Sequence, residues 1–384
     1  MYSGRRCSGP IADLKLASLK RGLLISAWLL AAIVSGGGCG ASLPSTDLPP
    51  SREVVAALEF PDLRDYRGIV DCRPSATGVD QLRLAELARA AQIDFICLAD
   101  RVSKPTSNYG MPGFTSQVLF FPGGSFAADG GEILGIDLRD PIEPALEAPR
   151  LIEQIHRQGG VAIANHVDRF SSVSDYAAAD GIAIFSLAQA WEAAGEWRIF
   201  LRALLLGPDR FFGALDVRPL EALRLYDEMA RGTRVSMVAA MGAEKRLGVL
   251  GSTVGTFEQF MLISTTHLLA PERQPSPMLD ALRRGHAYIS FDFLGYVAQF
   301  AFYAVDGEHK TMMGDEAAFS PTLSLKVQLP SQADEIAIVA GGAPVARASN
   351  SDRLESLVKS PGVYRAEAYR GGHPWILSNP VYLR

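Results

Sequence analysis

Short apolar runs alternate with helical stretches between residues 68 and 290, and this alternation constrains the fold more than any other feature of the chain. It is typical of parallel βα units, in which helices cover the faces of a sheet. Seven runs predict strands: residues 68–73, 95–100, 117–121, 161–166, 181–185, 235–241 and 257–263. Seven parallel strands with intervening helices favour a closed α/β barrel over an open sheet.

Four stretches between the strands carry the apolar stripe of a helix, and most have clear end signals. They are residues 81–91, 145–158, 219–232 and 276–285. Beyond residue 306 the period changes to two, and Leu323, Leu325, Val327 and Leu329 alternate with polar residues. We therefore predict a barrel over residues 63–305 and a small antiparallel β-sandwich over residues 306–384.

The N-terminal region resembles an export signal. Five basic residues flank or precede an apolar run at residues 23–34, and small residues then lead to Cys39. The run is short for a membrane span, so we predict a signal over residues 1–39. Small residues ending at a cysteine resemble a lipoprotein processing site, at which Cys39 would be acylated. Ordinary signal cleavage and a retained anchor helix are the two alternatives. Residues 40–62 then form a flexible tether, and the protein is expected at the cell envelope, held to the membrane by its lipid only.

Composition excludes several functional classes. Arginine and lysine total 37 against 42 acidic residues, a net charge of −5, so no polybasic field exists for nucleic acid. Four cysteines are too few for a disulfide scaffold. Cys72 and Cys97 are expected to be buried free thiols on neighbouring strands.

Functional groups of βα barrels lie at the carboxyl ends of the strands. Reading those ends in order gives Asp71 and Arg73, Asp100 and Arg101, Ser125 and Glu132, Asn165 and His166, and residues 241–244 with Glu244. Carboxylates, an imidazole and two guanidinium groups should therefore converge at one mouth of the barrel.

At this level the chain resembles the PHP (polymerase and histidinol phosphatase) superfamily, in the branch related to carbaryl hydrolase. Three elements carry the resemblance: residues 159–166 (GGVAIANH), residues 282–290 (LRRGHAYIS) and the tail at residues 361–382. The resemblance implies a distorted seven-stranded βα barrel that holds two or three divalent metals for hydrolysis of phosphoester or related bonds.

The metal ligands that the resemblance implies are largely replaced. The His-x-His element corresponds to residues 71–73, which begin with Asp71 and end with Arg73, and Thr-Asp-His corresponds to residues 99–101. Ser125 occupies the position of the bridging glutamate, and Glu132 occupies the position of the next histidine. The final Asp-x-His element corresponds to residues 242–244, which end with Glu244. Asp100 and His166 alone are retained.

Guanidinium offers no lone pair to a metal and stays protonated at neutral pH. Arg73 and Arg101 are therefore expected either to pair with the carboxylates or to bind an anion. The leading hypothesis is a non-catalytic protein that binds a small anionic ligand or an envelope protein and needs no cofactor. Its ligand-binding residues would be Arg73, Arg101, Asp71, Asp100 and His166.

The alternative is a hydrolase with one divalent ion (Mn, Zn or Mg). Its metal would be held by Asp100, His166, Glu132 and Glu244. His156 is expected on a helix surface, and we predict structural roles for His267, His286, His309 and His373. The sequence gives no sign of a Ser-His-Asp arrangement, because Ser252 and Ser290 lack the flanking glycines of a nucleophile elbow.

Overall fold

The computed structural model describes residues 55–76, 78–105, 109, 111–206, 215, 219–242, 247–249 and 252–384. The predicted signal, Cys39 and most of the tether lie outside these residues, as does Glu244. Among the described residues, no helix has both the length and the apolar character needed to cross a bilayer.

Strands dominate the described part of the chain. Up to residue 290 the strands are β1 (Ala56–Ala57), β2 (Phe60–Cys72), β3 (Phe95–Leu98), β4 (Asp100–Arg101), β5 (Gly113–Thr115), β6 (Val118–Phe121), β7 (Gly123–Ala128), β8 (Gly131–Ile136), β9 (Val161–Asn165), β10 (Gly181–Ser186), β11 (Ser236–Ala240), β12 (Leu247–Val249), β13 (Ser252–Val254), β14 (Thr265–Ala270) and β15 (Ala287–Ser290). After residue 300 they are β16 (Ala301–Asp306), β17 (His309–Met312), β18 (Glu316–Ala317), β19 (Ser324–Ala340), β20 (Ala343–Leu357), β21 (Gly362–Arg370), β22 (His373–Ser378) and β23 (Val381–Leu383).

The α-helices lie in the first part of the described chain. They are α1 (Gln81–Ala90), α2 (Ala148–Arg157), α3 (Leu187–Ala194), α4 (Glu196–Leu206), α5 (Leu220–Ala230), α6 (Phe257–Phe260) and α7 (Pro275–Arg284). Four of them, α1, α2, α5 and α7, confirm the predicted helices. Asp80 caps α1 by accepting a hydrogen bond from the Arg83 amide, and Gly285 ends α7 in a left-handed conformation.

The pairings of the strands form a series that begins and ends at β2. β2 pairs in parallel with β3, β3 with β6, and β4 with β7. β8 then pairs antiparallel with β7 and β9, while β9, β10 and β11 are parallel. β11 finally pairs in parallel with β2, Ala240 opposite Val70. The mixed α/β class is confirmed.

Two parts of the sheet were not predicted. Residues 257–263 were expected to form a strand, but Thr256 and Gln259 form a capping box that starts α6 instead. The next strand, β14, pairs antiparallel with both β2 and β15. The hairpin of β7 and β8 is also antiparallel, which departs from the all-parallel expectation.

The strands after residue 300 are mainly antiparallel, as their period of two predicted. β19 pairs antiparallel with β16, β20 and β21, and Leu323, Leu325, Val327 and Leu329 are buried. β22 pairs with β15, so the hydrogen-bonded sheet continues across the predicted domain boundary. Cys72 and Cys97 are buried free thiols, as predicted, and burial raises the pKa of each.

A buried ion pair ties β2 to the end of β15. The Arg67 guanidinium contacts the Asp292 carboxylate, and both side chains are almost completely buried. The same guanidinium donates to the Ala91 carbonyl oxygen at 3.0 Å, and the Arg67 amide donates to Asp94 Oδ2 at 2.9 Å. Removing one partner of a buried pair is costly because the other charge is left without compensation.

We expect Arg67→Met to lower the free energy of unfolding by about 3–5 kcal/mol, because it strands the Asp292 carboxylate in the core. The matched control is Arg83→Met, which removes an exposed pair with Glu86 and should cost less than about 1 kcal/mol. Denaturant unfolding of the purified variants measures both. Equal losses would contradict the assignment of the Arg67 pair as a core element.

Candidate functional site

Arg73 lies at the carboxyl end of β2 and is the centre of a buried polar cluster. Its Nε donates to Asp71 Oδ1 at 2.6 Å and its Nη2 to Asp71 Oδ2 at 2.9 Å. Two parallel bonds of this kind are the strongest geometry that a guanidinium and a carboxylate adopt. Only 1% of Arg73 and none of Asp71 is exposed, so this pair lies inside the protein.

Local backbone geometry brings Asp71 into this position. Asp71 has φ +63°, in the left-handed region, and the register of β2 against β3 shifts between Ile69 and Cys72. Gly242, which follows β11, lies against the same carboxylate. A Cβ at Gly242 would lie 2.8 Å from Asp71 Oδ2, so only glycine leaves room for Asp71 here.

Glu132 on β8 is the second carboxylate of the cluster. Arg73 Nη2 donates to Glu132 Oε2 at 2.7 Å, and Asn165 Nδ2 donates to the same oxygen at 2.8 Å. The Ser125 hydroxyl donates to the other oxygen, Oε1. Ser125 lies on β7, and Asn165 is the direct partner of Glu132 in the pairing of β8 with β9. We call Asp71, Arg73, Ser125, Glu132 and Asn165 the Arg73 cluster.

The charge of Arg73 controls the ionisation of Glu132. Burial alone raises the pKa of Glu132, but the Arg73 charge and the hydrogen bonds from Ser125 and Arg73 outweigh it, so the pKa lies below its ordinary value. Glu132 is therefore ionised at neutral pH although it is buried. Among the described residues, the Arg73 guanidinium thus contacts both the Asp71 and the Glu132 carboxylates.

His166 lies beside the cluster and contacts it weakly. Its Nε2 is 3.9 Å from Glu132 Oε2, and its buried Nδ1 has no hydrogen-bond partner in the described part of the chain. Burial lowers the pKa of His166, and the negative charge of Glu132 opposes this only in part. His166 takes a left-handed backbone conformation directly after β9.

Asp100 and Arg101 do not join the Arg73 cluster. Asp100 accepts hydrogen bonds from the backbone amide and the hydroxyl of Ser75, at 2.9 and 2.7 Å. Arg101 is exposed, although its backbone lies opposite Ser125 in the pairing of β4 with β7. Of the two arginines predicted at the mouth, Arg73 contacts Asp71 and Glu132, whereas Arg101 is exposed. Asn165, which the predicted site omitted, takes part in place of its neighbour His166.

The described residues do not fit a resident metal. No group of three or more His, Cys, Asp or Glu side chains among them is arranged to hold an ion. The oxygens that a metal would need on Asp71 and Glu132 already accept hydrogen bonds from Arg73, Ser125 and Asn165. Glu244, the fourth predicted ligand, lies outside the described residues.

A second buried cluster corrects the prediction that no Ser-His-Asp arrangement exists. His267 Nδ1 is 2.7 Å from Asp65 Oδ1, and His267 Nε2 is 3.1 Å from Ser290 Oγ. None of Ser290 is exposed, so no substrate reaches its hydroxyl. That hydroxyl also donates to Asp292 Oδ1 at 2.8 Å, so its proton is shared with an acceptor other than the histidine. We interpret this cluster as a link between β2, β14 and β15, which agrees with the structural role predicted for His267.

His156 is partly exposed on α2, in agreement with the sequence. It pairs with Asp180 at 2.8 Å, and this hydrogen bond raises the pKa of His156. Such a pair stabilises the folded protein at pH values below the pKa that the histidine has in the unfolded chain. This stabilisation is lost as the pH rises through the pKa that the histidine has in the folded protein.

Comparisons with known proteins add a remote likeness. No protein family and no curated protein matches the chain. Among solved structures, it is similar to a two-domain protein from Bacteroides vulgatus, described as containing a predicted PHP-like metal-dependent phosphoesterase. The two share 10% sequence identity with a TM-score of 0.42, over 87% of this chain and 100% of that one. Similarity at this level assigns neither a fold family nor an activity.

We expect Arg73→Met to lower the free energy of unfolding by about 3–5 kcal/mol at neutral pH, because Asp71 and Glu132 lose their buried counter-charge. Without Arg73 the pKa of Glu132 rises, so the carboxyl takes up a proton as the pH falls and the penalty shrinks. Denaturant unfolding at about pH 7 and about pH 5 measures this difference.

The matched control is Arg101→Met, which changes an exposed arginine and should cost less than about 1 kcal/mol at either pH. A loss in Arg73→Met that is equally large at both pH values would show that packing, and not charge compensation, is the role of Arg73.

Proposed function

We propose that the chain is a non-catalytic binding protein built on a PHP-like barrel, in which an arginine has replaced the metal centre. The observation that carries this proposal is the contact of Arg73 with both Asp71 and Glu132. The cycle of strand pairs that leads from β2 back to β2 supports the distorted seven-stranded barrel. Residues 306–384 are proposed as its appended β-sandwich.

The chemical reason is that guanidinium can replace the charge of a metal but not its reactivity. Arg73 supplies positive charge to two carboxylates that would otherwise be costly to bury. Arginine has no free coordination position and does not lower the pKa of a bound water, which is how a metal ion generates a nucleophile. Such a cluster stabilises the mouth of the barrel and does not hydrolyse a phosphoester.

The proposed ligand is a small anion, with an envelope protein as the alternative partner. The guanidinium of Arg73 already contacts two carboxylates and is buried, which leaves Arg101 as the exposed arginine of the predicted pair. Arg101 and His166 would then provide the contacts to the anion. Asp71 would have a structural role through its contact with Arg73, and Asp100 would have one through its hydrogen bonds with Ser75.

One observation favours a second candidate, a hydrolase with a single divalent ion. The Nδ1 atom of His166 is buried and has no hydrogen-bond partner among the residues that the structure describes, which leaves it available to a ligand. To bind a metal ion together with His166, Glu132 would have to give up its contact with Arg73. The next experiment separates the two candidates.

Arg73→His removes the guanidinium and adds a lone pair beside Asp71, Glu132 and His166. If the guanidinium excludes metals, this variant should bind one Zn²⁺ or Mn²⁺ at least tenfold more tightly than the wild-type chain, as measured by equilibrium dialysis. Arg73→Met is the matched control, because it removes the same charge without adding a ligand. Circular dichroism verifies that both variants fold.

Tight binding by the wild-type chain, or no gain in Arg73→His, would contradict the replacement of the metal by Arg73. Manganese-dependent phosphodiesterase activity that is lost in His166→Ala would support the single-ion hydrolase instead.

We also propose that the protein is exported and anchored by acylation of Cys39. The tether predicted over residues 40–62 is shorter than expected, because β1 (Ala56–Ala57) and the start of β2 (Phe60–Cys72) lie within that range. The basic flank, the apolar run and the small residues before Cys39 support this proposal.

In a bacterial host, we expect the full chain to incorporate radiolabelled palmitate and to sediment with membranes, and Cys39→Ala to lose both properties. Cys7→Ala, which changes a cysteine outside the processing site, is the matched control. Membrane association that persists in Cys39→Ala would indicate a retained anchor helix.

A further inference from the structure

A cavity that is separate from the Arg73 cluster lies between α5 and the strands β19, β20 and β21. Its volume is about 720 Å³, and we call it the α5 cleft. None of the Arg73 cluster residues lines it. Its volume is in the range of small-molecule sites in proteins, about 300–1,000 Å³.

The floor of the α5 cleft carries more negative than positive charge. Arg365 is buried, and its guanidinium contacts Asp227 Oδ1 on α5 and, through Nε at 2.9 Å, Glu367 Oε1 on β21. The Tyr369 hydroxyl donates to the other Glu367 oxygen. One cation thus faces two carboxylates. Burial raises the pKa of Asp227, and the Arg365 charge opposes this shift.

The two oxygens of Asp227 differ in their partners among the described residues. Asp227 is 91% buried and its Oδ1 contacts Arg365, whereas no hydrogen bond reaches Oδ2 from any described residue. Gly342, at φ +83°, lies opposite: a Cβ there would be 3.5 Å from Oδ2. Oδ2 is not among the fully buried polar atoms of the described residues, so it is open to the space of the cleft. A ligand in the cleft can therefore donate a hydrogen bond to it.

A cation lies at the rim, one helical turn further along. Arg231 directly follows α5, is exposed, and forms no ion pair with any described residue. Two other rim arginines differ from it, because Arg224 pairs with Glu221 at 2.7 Å and Arg347 with Glu335 at 2.6 Å. Residues four apart lie on the same helix face, so Asp227 and Arg231 present opposite charges to one cavity.

We propose that the α5 cleft binds a small zwitterion, an α-amino acid or a short peptide with free ends. Its ammonium group donates to Asp227 Oδ2 and its carboxylate accepts from Arg231. Leu220, Leu223 and Val339 line the cavity and receive an apolar side chain. This proposal is independent of the function proposed for the Arg73 cluster, since the two sites share no residue.

Isothermal titration calorimetry with leucyl-leucine, its N-acetylated form and its C-terminal amide tests the proposal. We expect wild-type protein to bind the free dipeptide and to bind each blocked form at least tenfold more weakly. Arg231→Gln should bind the free peptide and the amide equally, and Asp227→Asn should lose discrimination against the acetylated form. Arg83→Gln, on the surface of α1, is the control and should behave as wild type.

Failure of the wild-type chain to bind the free dipeptide at about 10 mM would overturn the proposal, as would binding that ignores both end groups. Because Arg231 is exposed, Arg231→Gln retains the fold even if Asp227→Asn loses stability through Arg365. Circular dichroism of each variant separates loss of binding from loss of folding.

Discussion

The contact of the Arg73 guanidinium with Asp71 and Glu132 is the interaction on which the rest of the candidate site depends. Two carboxylates buried at one end of a sheet repel each other and lose hydration, so they need a cation at short distance. Arg73 meets both within 3 Å and is itself buried. Ser125 and Asn165 donate further hydrogen bonds to Glu132.

Much of this cluster could be predicted from strand ends. Asp71, Arg73 and Glu132 come together as the sequence indicated, because the ends of neighbouring strands meet at one edge. Asp100 and Arg101 also lie at a strand end, but they make other contacts. Asp100 accepts a hydrogen bond from Ser75, and Arg101 is exposed. A strand end predicts the edge on which a residue lies, but it does not predict how deeply the side chain is buried.

Other features depend on pairings between distant segments, which periodicity does not reveal. Ser290, His267 and Asp65 meet because β14 pairs with both β2 and β15, and that pairing was not predicted. The helix α6 was mistaken for a strand because an apolar run of seven residues fits either structure, and the capping box of Thr256 and Gln259 decided it. The sequence placed Asn165 at the same strand end as His166 but left it out of the predicted ligand-binding residues, although Asn165 contacts Glu132 directly.

The carboxylates of the Arg73 cluster and of the α5 cleft differ in how their oxygens are hydrogen-bonded. Both oxygens of Glu132 in the Arg73 cluster accept hydrogen bonds from Arg73, Ser125 and Asn165, whereas Oδ2 of Asp227 in the α5 cleft accepts none from the described residues. We propose that an arginine has replaced the metal, and elemental analysis of the protein purified without chelators tests this proposal. We expect well below one divalent ion per chain. Two or more tightly held zinc, manganese or iron ions per chain would contradict it.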